Sequence, residues 1–312
     1  MPLHAIIMTR FRQIWNPGCY SSLTIKESCK DKTFRIIVTV ILCIFAGISI
    51  VPLLTVVAMS FSSKAASDMN IVNLWPVDFT LSSWYYILSR VDIWKSFALT
   101  LVATLATTFL ALLITSLMAY PLAKKEFKIR RIVMIFVTVT MVFKAPVVPY
   151  FLVMKGIGMI NNPMVLVLPH ILTAYNMIIM RTFFSNFPTE VEESARIDGC
   201  GCFRVLWKIV LPSSKAVLAS VGLFYAVTAW NQFQHPLMFI QDTKLYPLQL
   251  KIRQLINGGS ELMSVTAAQD VNYTESTLSA ATVVFAIIPI IMVYPWLQKY
   301  FAKGAMLGSV KG

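Results

Sequence analysis

The chain has 312 residues, of which 57% are hydrophobic and 13% are charged, and its mean hydropathy is +0.70. Soluble domains carry about 25% charged residues, so this composition excludes a soluble globular protein and indicates a membrane protein. The formal net charge of +13 does not predict a nucleic-acid partner, because the basic residues are dispersed between long apolar stretches.

Six apolar stretches are long enough to cross a hydrocarbon layer of ~30 Å. In chain order they cover residues 36–59, 97–123, 132–154, 164–184, 216–240 and 278–297. They predict an all-α polytopic membrane protein with about six transmembrane helices in one domain, 36–298. Residues 1–35 are then a lead-in without a signal-peptide pattern, and 299–312 are a tail.

The distribution of basic residues predicts the orientation of the spans. With both termini in the cytoplasm, the inner segments hold 19 of the 27 Lys and Arg residues, and the outer segments hold seven. Cytoplasmic loops are enriched in Lys and Arg, so both termini and the polar loop 185–214 are expected inside. The basic run 124–131 is expected to bind lipid headgroups, which makes membrane lipid a partner. Arg181, near the inner end of the fourth span, is expected to extend to the same surface.

Lys144 lies near the middle of the third span, where a charge costs ~2.5–3.5 kcal/mol on insertion scales. One interpretation is structural: Pro146 and Pro149 free backbone carbonyls that an ammonium satisfies. The other is functional: Lys144 faces a cavity and attracts an acidic sugar such as a uronate. Both interpretations stay open at this point.

A polar segment, TEVEESARIDGCGCFRVLWKIVLP, covers residues 189–212 between the fourth and fifth spans. Thr189 and Glu192 predict a capping box at the start of a helix, and Gly199 predicts the left-handed residue that ends it. A second helix is expected to follow, with four apolar residues at helical spacing on one face and two basic residues on the opposite side. The residues of that face are Phe203, Leu206, Trp207 and Val210.

This segment resembles the EAA loop of ABC importer membrane subunits: Glu-Ala-Ala, three residues, Gly, nine residues, Ile, one residue, Leu-Pro. All spacings are met, and Ser194 alone departs from the usual alanine. The resemblance implies that residues 189–212, here called the candidate coupling segment, dock onto a cytoplasmic ATPase. The residues that it implicates are Glu192, Glu193, Ser194, Ala195, Asp198, Gly199, Ile209, Leu211 and Pro212.

Other segments are similar to permeases of the carbohydrate-uptake branch, such as the maltose transporter membrane subunits. They are Arg181-Thr182-Phe183-Phe184, Ala229-Trp230-Asn231-Gln232-Phe233 and Lys303-Gly304-Ala305, while Leu245-Tyr246-Pro247-Leu248 resembles an oligosaccharide subgroup. The resemblance implies a type I ABC importer transmembrane domain in the inner membrane of a prokaryote. It further implies a second permease subunit in a heterodimer, a cytoplasmic ATPase dimer and an extracytoplasmic solute-binding protein.

The sequence contains no Gly-x-x-x-x-Gly-Lys-Ser/Thr phosphate loop. We therefore expect that the chain is not an enzyme and binds no cofactor, and that ATP and Mg bind the partner ATPase. The alternatives are an ABC permease for another small solute and an ion-coupled secondary transporter. A secondary transporter would favour intramembrane carboxylates, which the second to sixth apolar stretches lack. Cys200-Gly-Cys202 has no histidine nearby, so no metal site is expected.

Polar and aromatic residues inside the spans are candidates for a substrate pathway. Amides suit sugar hydroxyls, and aromatic rings suit the C–H faces of sugars. The candidates are Lys144, Tyr175, Asn176, Tyr225, Trp230, Asn231 and Gln234. The alternative for each is an interhelical hydrogen bond that holds the bundle together, worth ~0.6 kcal/mol on average.

Overall fold

The computed structural model describes residues 29–257 and 273–309, and every regular element in these two ranges is helical. Within them, four helices are long and apolar enough to cross a membrane. Two bent helix pairs bring the number to six when each pair is counted as one span. The predicted all-α class with about six spans is confirmed.

The helices are numbered here in chain order. They are α1 (Cys29–Ser60), α2 (Lys64–Asp68), α3 (Ser82–Ser89), α4 (Val91–Ala123), α5 (Arg130–Val142), α6 (Val147–Gly156), α7 (Ala174–Ser185), α8 (Thr189–Ile197), α9 (Cys202–Val205), α10 (Leu211–Ser213), α11 (Lys215–Trp230), α12 (Gln234–Phe239), α13 (Leu248–Asn257) and α14 (Glu275–Ser309). Short 3-10 helices cover Pro163–Leu166, Leu168–His170 and Thr243–Leu245, and a π-helical turn covers Leu206–Val210.

The residues up to Leu53 form one compact unit, whose described part belongs to α1. Apolar side chains along this part of the helix are exposed, including Phe34, Phe45 and Ile48 at 70%, 65% and 65%. A long helix that is apolar all round and exposed is typical of a span that meets hydrocarbon. The unit therefore has the character of the predicted first span.

The second unit, from Leu54 onward, is organised around α4. Helices α7, α11 and α13 pack against it. The buried face of α4 includes a row of small residues four positions apart: Thr107, Ala111, Thr115 and Ala119. Small side chains let helix backbones approach closely, which is how helices associate when lipid removes the hydrophobic driving force.

Gly222 of α11 shows how close this approach is, because a Cβ atom placed there would lie 3.2 Å from Leu112 Cδ1 of α4. We expect Gly222→Val to destabilise the protein by about 1–3 kcal/mol, since the added carbons overpack the α4–α11 contact. Thermal unfolding in detergent measures the loss. Gly47→Val is the control, because no atom lies within 4 Å of a Cβ at Gly47. Leu112→Ala in the Gly222→Val background should restore stability; no recovery would contradict the overpacking.

The third predicted span, 132–154, is not one continuous helix. Helix α5 ends at Val142 and α6 begins at Val147, and their axes differ by 115°. Pro146 causes the break, because proline lacks an N–H donor and disfavours helical backbone at the residue before it. Lys144 lies in this break and is exposed.

The fourth and sixth spans also differ in detail from the predicted stretches. The fourth starts as 3-10 helix at Pro163–His170 and bends by 44° into α7. Helix α14 contains Pro289 and Pro295 and continues to Ser309, beyond the predicted end of the span at 297. The predicted tail is therefore helical over its first residues. A single-sequence hydropathy pattern reports apolar length, whereas helix ends depend on prolines and packing.

Candidate functional site

The candidate coupling segment begins with α8, directly after Pro188. Thr189 is the first residue of this helix rather than its N-cap, and no side chain caps the helix start. The predicted capping box is therefore wrong. Pro188 occupies the N-cap position instead, and Glu192, the second member of the predicted box, is engaged elsewhere.

Glu192 lies against the C-terminal end of α4 and is only 4% exposed. Its carboxylate forms a salt bridge with the ammonium of Lys124, the first residue after α4. The hydroxyl of Tyr120 donates a hydrogen bond to Glu192 Oε2 at 3.4 Å. Lys124 Nζ lies 4.9 Å from the centroid of the Tyr120 ring. These three side chains join α8 to the central helix of the fold.

Ala195, one turn after Glu192, is also buried against this end of the protein, at 6% exposure. Its small side chain lets α8 lie close to a compact apolar cluster, to which Ile209 and Leu211 add half-buried side chains. The buried members around it are Ala119, Tyr120, Ala123, Val205, Leu206 and Val210. The cluster fixes α8 on the bundle independently of the ion pair.

Gly199 has the predicted left-handed conformation, with φ of +78°. The N–H of Gly199 donates to the carbonyl of Arg196 at 3.0 Å, and the N–H of Cys200 donates to that of Ala195 at 2.9 Å. This pair of bonds is a Schellman motif, which satisfies the last carbonyls of a helix. The prediction for Gly199 is confirmed.

The second half of the segment contains a π-helical turn at Leu206–Val210, in which the N–H of Leu211 donates to the carbonyl of Leu206. The extra residue in this turn shifts the register of the helix. Leu206 and Val210 are buried, whereas Phe203 and Trp207 are 66% and 42% exposed. The four apolar residues of the second helix are therefore divided between the bundle and the surface. Their ring centroids lie 6.0 Å apart.

The outer face of α8 is exposed and mixes acidic and apolar side chains. Glu193, Ser194 and Asp198 are exposed. Val191 and Ile197 are 44% and 86% exposed, on the same short helix. Apolar side chains rimmed by polar ones mark interaction surfaces. The predicted coupling residues therefore fall into three groups. Glu192 and Ala195 are buried against the bundle, and Ile209 and Leu211 are half-buried. The others are exposed and available to a partner.

Three of the predicted pathway residues are buried between helices. The hydroxyl of Tyr225 lies 2.7 Å from Oγ1 of Thr115 on α4. Trp230 Nε1 donates to the carbonyl of Ala286 at 3.2 Å. Asn176 is 5% exposed. Tyr225 and Trp230 therefore make the interhelical contacts of the alternative interpretation.

The remaining pathway candidates are exposed. Tyr175 is 55% exposed, and its ring centroid lies 6.2 Å from that of Phe224 on α11. Asn231 follows Phe224 by seven residues and so lies on the same side of α11 two turns later. Lys144 and Gln234 are exposed as well. The structure therefore places an aromatic pair and an amide on one side of α11.

Sequence reasoning missed a histidine pair between the fourth and fifth spans. His170 Nε2 and His235 Nδ1 lie 3.1 Å apart, and the Tyr150 ring is 5.6 Å from that of His235. Nearby, Gln232 Nε2 donates to the carbonyl of Leu166 at 2.8 Å. The only sequence signal is a proline beside each histidine. In the part of the chain that the structure describes, no group of three metal-binding side chains forms a metal site.

Arg181, which is predicted to extend toward the membrane surface, is half-buried and contacts the end of α4. Its Nε donates to the carbonyl of Leu122 at 3.2 Å, at the last turn of α4. The carbonyl groups of a final helical turn have no partner within the helix, so a guanidinium is a favourable neighbour. Arg181 therefore joins α7 to the same end of α4 that Glu192 contacts through Lys124.

Comparison with known families gives a match over residues 111–306. The matching family is described as "Binding-protein-dependent transport system inner membrane component". The match includes the whole candidate coupling segment and covers more than half of the chain.

The chain is similar to two curated proteins over most of its length. It is 36% identical to the polygalacturonan/rhamnogalacturonan transport system permease protein YtcP of Bacillus subtilis, over 91% of this chain and 100% of that protein. It is 39% identical to the protein LplC of Bacillus subtilis, over 85% of this chain and 90% of that protein.

A solved structure has the same fold. It is a crystal structure of a bacterial ABC transporter involved in the import of the acidic polysaccharide alginate. One of its chains matches with a TM-score of 0.81 and 32% identity, over 88% of this chain and 99% of that chain.

Proposed function

The chain belongs to the family of inner membrane components of binding-protein-dependent transport systems, and we propose on this premise that it imports acidic oligosaccharides as an ABC permease subunit. The observation that carries the proposal is the similarity, over some nine-tenths of the chain, to a polygalacturonan/rhamnogalacturonan permease and to an alginate importer chain. Its role is to form a gated path through the membrane, in the company of an ATPase and a solute-binding protein.

The proposed assembly has a second permease subunit as a heterodimer partner, a cytoplasmic ATPase dimer and an extracytoplasmic binding protein. ATP and Mg would bind the ATPase, and both termini of this chain would be cytoplasmic. The exposed side of α8, with Glu193 and Ile197, supports a docking role for the candidate coupling segment. The Lys124–Glu192 ion pair and Arg181 would pass movement of α8 to α4 and α7.

Movement of this kind drives transport only if it changes the relative stability of two conformations. Closure of the ATPase dimer would push α8, and the rigid attachment of α8 to α4 would rotate the bundle between its inward- and outward-facing states. The small-residue contact of α4 with α11 supports such a rotation, because tightly packed helices move as bodies rather than deform.

The proposed substrate path runs along the accessible face with Tyr175, Phe224 and Asn231, and past the break that holds Lys144. The aromatic pair suits a sugar ring, and the amide suits a hydroxyl. Because the break exposes Lys144, the ammonium is free to attract a carboxylate. This favours the functional interpretation of Lys144 over the structural one.

We expect Lys144→Met to lower uptake of an acidic oligosaccharide by about tenfold, which corresponds to ~1.4 kcal/mol of lost attraction. Uptake should be measured in proteoliposomes that contain the complete importer, and the solute-binding protein should be added to the assay. The same glycan with its carboxyl groups methyl-esterified is the matched neutral substrate. Its uptake, relative to that by the unmodified importer, should change little.

Lys155→Met is the control, because Lys155 is an exposed lysine at the end of α6 and outside the break. It should leave the uptake of both substrates within about twofold of the unmodified importer. An equal loss for the acidic and the neutral glycan in Lys144→Met would reject recognition of charge. Failure of the complete importer to take up any oligosaccharide would reject the proposed function itself.

A further inference from the structure

A groove between α5 and α7 lies beside the basic run 124–131 and joins a charged end to an apolar wall. It has a volume of about 520 Å³. We call it the basic groove. The residues that line it are Arg130, Arg131, Met134, Ile135, Thr138, Val139 and Arg181. We propose that the basic groove is a binding site for an anionic phospholipid, whose phosphate meets the arginines and whose acyl chain lies along α5.

The charged end of the basic groove is formed by three arginines. None of the ion pairs among the described residues includes Arg130, Arg131 or Arg181. Arg181 uses Nε to bind the carbonyl of Leu122, which leaves the other nitrogens of its guanidinium to face a ligand. Arg130 and Arg181 are half-buried, so an anion between them is partly shielded from water and is held more strongly than at an open surface.

The helix start adds to this positive charge. Helix α5 begins at Arg130, contains no acidic residue in its first turn and has no side-chain cap at Ile129. The positive end of a helix dipole disfavours arginine and favours an anion. A phosphate at this position would accept hydrogen bonds from N–H groups of the first turn and neutralise both adjacent guanidinium groups. A bound anion would therefore offset the unfavourable position of two arginines in the first turn of α5.

The wall determines which anion fits. Beyond the arginines, the groove continues for about two turns of α5, or roughly 12 Å from Arg131 to Val139. Ile135 and Val139 are 55% and 44% exposed. The hydroxyl of Thr138 donates to the carbonyl of Met134 at 2.9 Å, so the wall presents no free donor. A free phosphate or a sugar would leave this wall uncovered, whereas an acyl chain covers it.

Basic pockets between transmembrane helices bind anionic headgroups at the membrane surface. A bound lipid would also bridge α5 and α7, because its phosphate would contact the beginning of α5 and Arg181 together. Since Arg181 is attached to the last turn of α4, the lipid would hold the third and fourth spans beside the end of α4 that carries the candidate coupling segment.

The test compares two charge-matched double variants of the purified complete importer. Arg130→Gln/Arg131→Gln removes two charges from the groove. Lys125→Gln/Lys128→Gln removes two exposed charges from the same basic run outside the groove. Each importer is incubated with phosphatidylcholine vesicles containing phosphatidylglycerol, and the bound phosphatidylglycerol is measured by mass spectrometry.

We expect the groove variant to bind phosphatidylglycerol about 25-fold more weakly, from about fivefold for each of the two charges near an anionic surface. The control variant should lose less than about threefold. Thermal unfolding without phosphatidylglycerol checks that the groove variant is still folded. Its unfolding temperature should match that of the control variant. Arg181→Lys, which keeps the charge but not the planar fork, should weaken binding to an intermediate degree.

Three outcomes would overturn the proposal. Equal weakening in the two double variants would show a diffuse surface effect. Displacement of phosphatidylglycerol by millimolar inorganic phosphate would show an anion site without a lipid. Efficient disulfide formation between Ile135→Cys and a cysteine on the second permease subunit would show that a protein partner covers the groove.

Discussion

Replacing Glu192 with glutamine is expected to destabilise the protein by about 3 kcal/mol and to lower transport per ATP hydrolysed by at least about tenfold. Removing one partner of a buried ion pair leaves an uncompensated charge, which typically costs about 3–5 kcal/mol. The lower end of this range applies, because the Lys124 side chain is 17% exposed and keeps some contact with water. Thermal unfolding measures the first effect, and parallel uptake and ATPase assays on the complete importer measure the second.

The double variant Glu192→Gln/Lys124→Gln separates two effects of the single substitution: the loss of the ion pair and the unpaired charge that remains on Lys124. It should recover most of the stability, since neither buried charge remains, but not the coupling, since the link between α8 and α4 is gone. Glu190→Gln is the control, because Glu190 is exposed on the same helix and its substitution should change stability by less than about 0.5 kcal/mol. Unchanged coupling in Glu192→Gln would contradict the role of this pair in transmission.

Replacing Gly199 with valine is expected to have the second large effect, a loss of coupling with little change in the rest of the bundle. A β-branched residue with φ of +78° is strongly strained, and the left-handed conformation costs roughly 1–2 kcal/mol even for ordinary L-residues. To relieve the strain, the chain would have to abandon the Schellman motif and change the direction of the segment after α8. ATPase co-purification and transport per ATP are the measurements.

Two substitutions make this prediction specific to the backbone. No atom lies within 4 Å of a Cβ at either Gly199 or Gly201, so valine meets open space at both positions. Gly201 has φ of −69°, and Gly201→Val should therefore be tolerated. Gly199→Asn should also retain coupling, because asparagine adopts the left-handed conformation readily. A similar defect in Gly199→Val and Gly201→Val would rule out the conformational explanation.

Features carried by local pattern could be predicted from the sequence. Long apolar stretches report spans, because every backbone group in lipid must be satisfied within its own helix. The left-handed Gly199 follows from glycine alone, since it has no Cβ to clash. The family resemblance of residues 189–212 likewise depends on residue spacing only, and residues 111–306 match the family.

Features that depend on a distant partner could not be predicted in this way. Glu192 fits a capping box in sequence, yet it pairs with Lys124, 68 residues earlier in the chain. Arg181 fits a free surface residue, yet it binds the carbonyl of Leu122. In both cases the side chain binds a group from a distant part of the chain. Glu192 gains an ion pair, and Arg181 gains a hydrogen bond to a carbonyl at a helix end. The π-helical turn has the same origin, because it exposes Trp207 in order to bury Leu206 and Val210.

The amino-acid sequence by itself determined that this is an all-α membrane protein of six apolar spans with a bent polar segment between the fourth and fifth. The length of an apolar stretch and the conformational freedom of a glycine are local properties of the chain, so they can be predicted without a structure. The tertiary structure alone decided which polar side chains join helices and which remain accessible. That choice depends on which helix ends meet, as at α4, where Lys124, Glu192 and Arg181 come together from three separate parts of the chain.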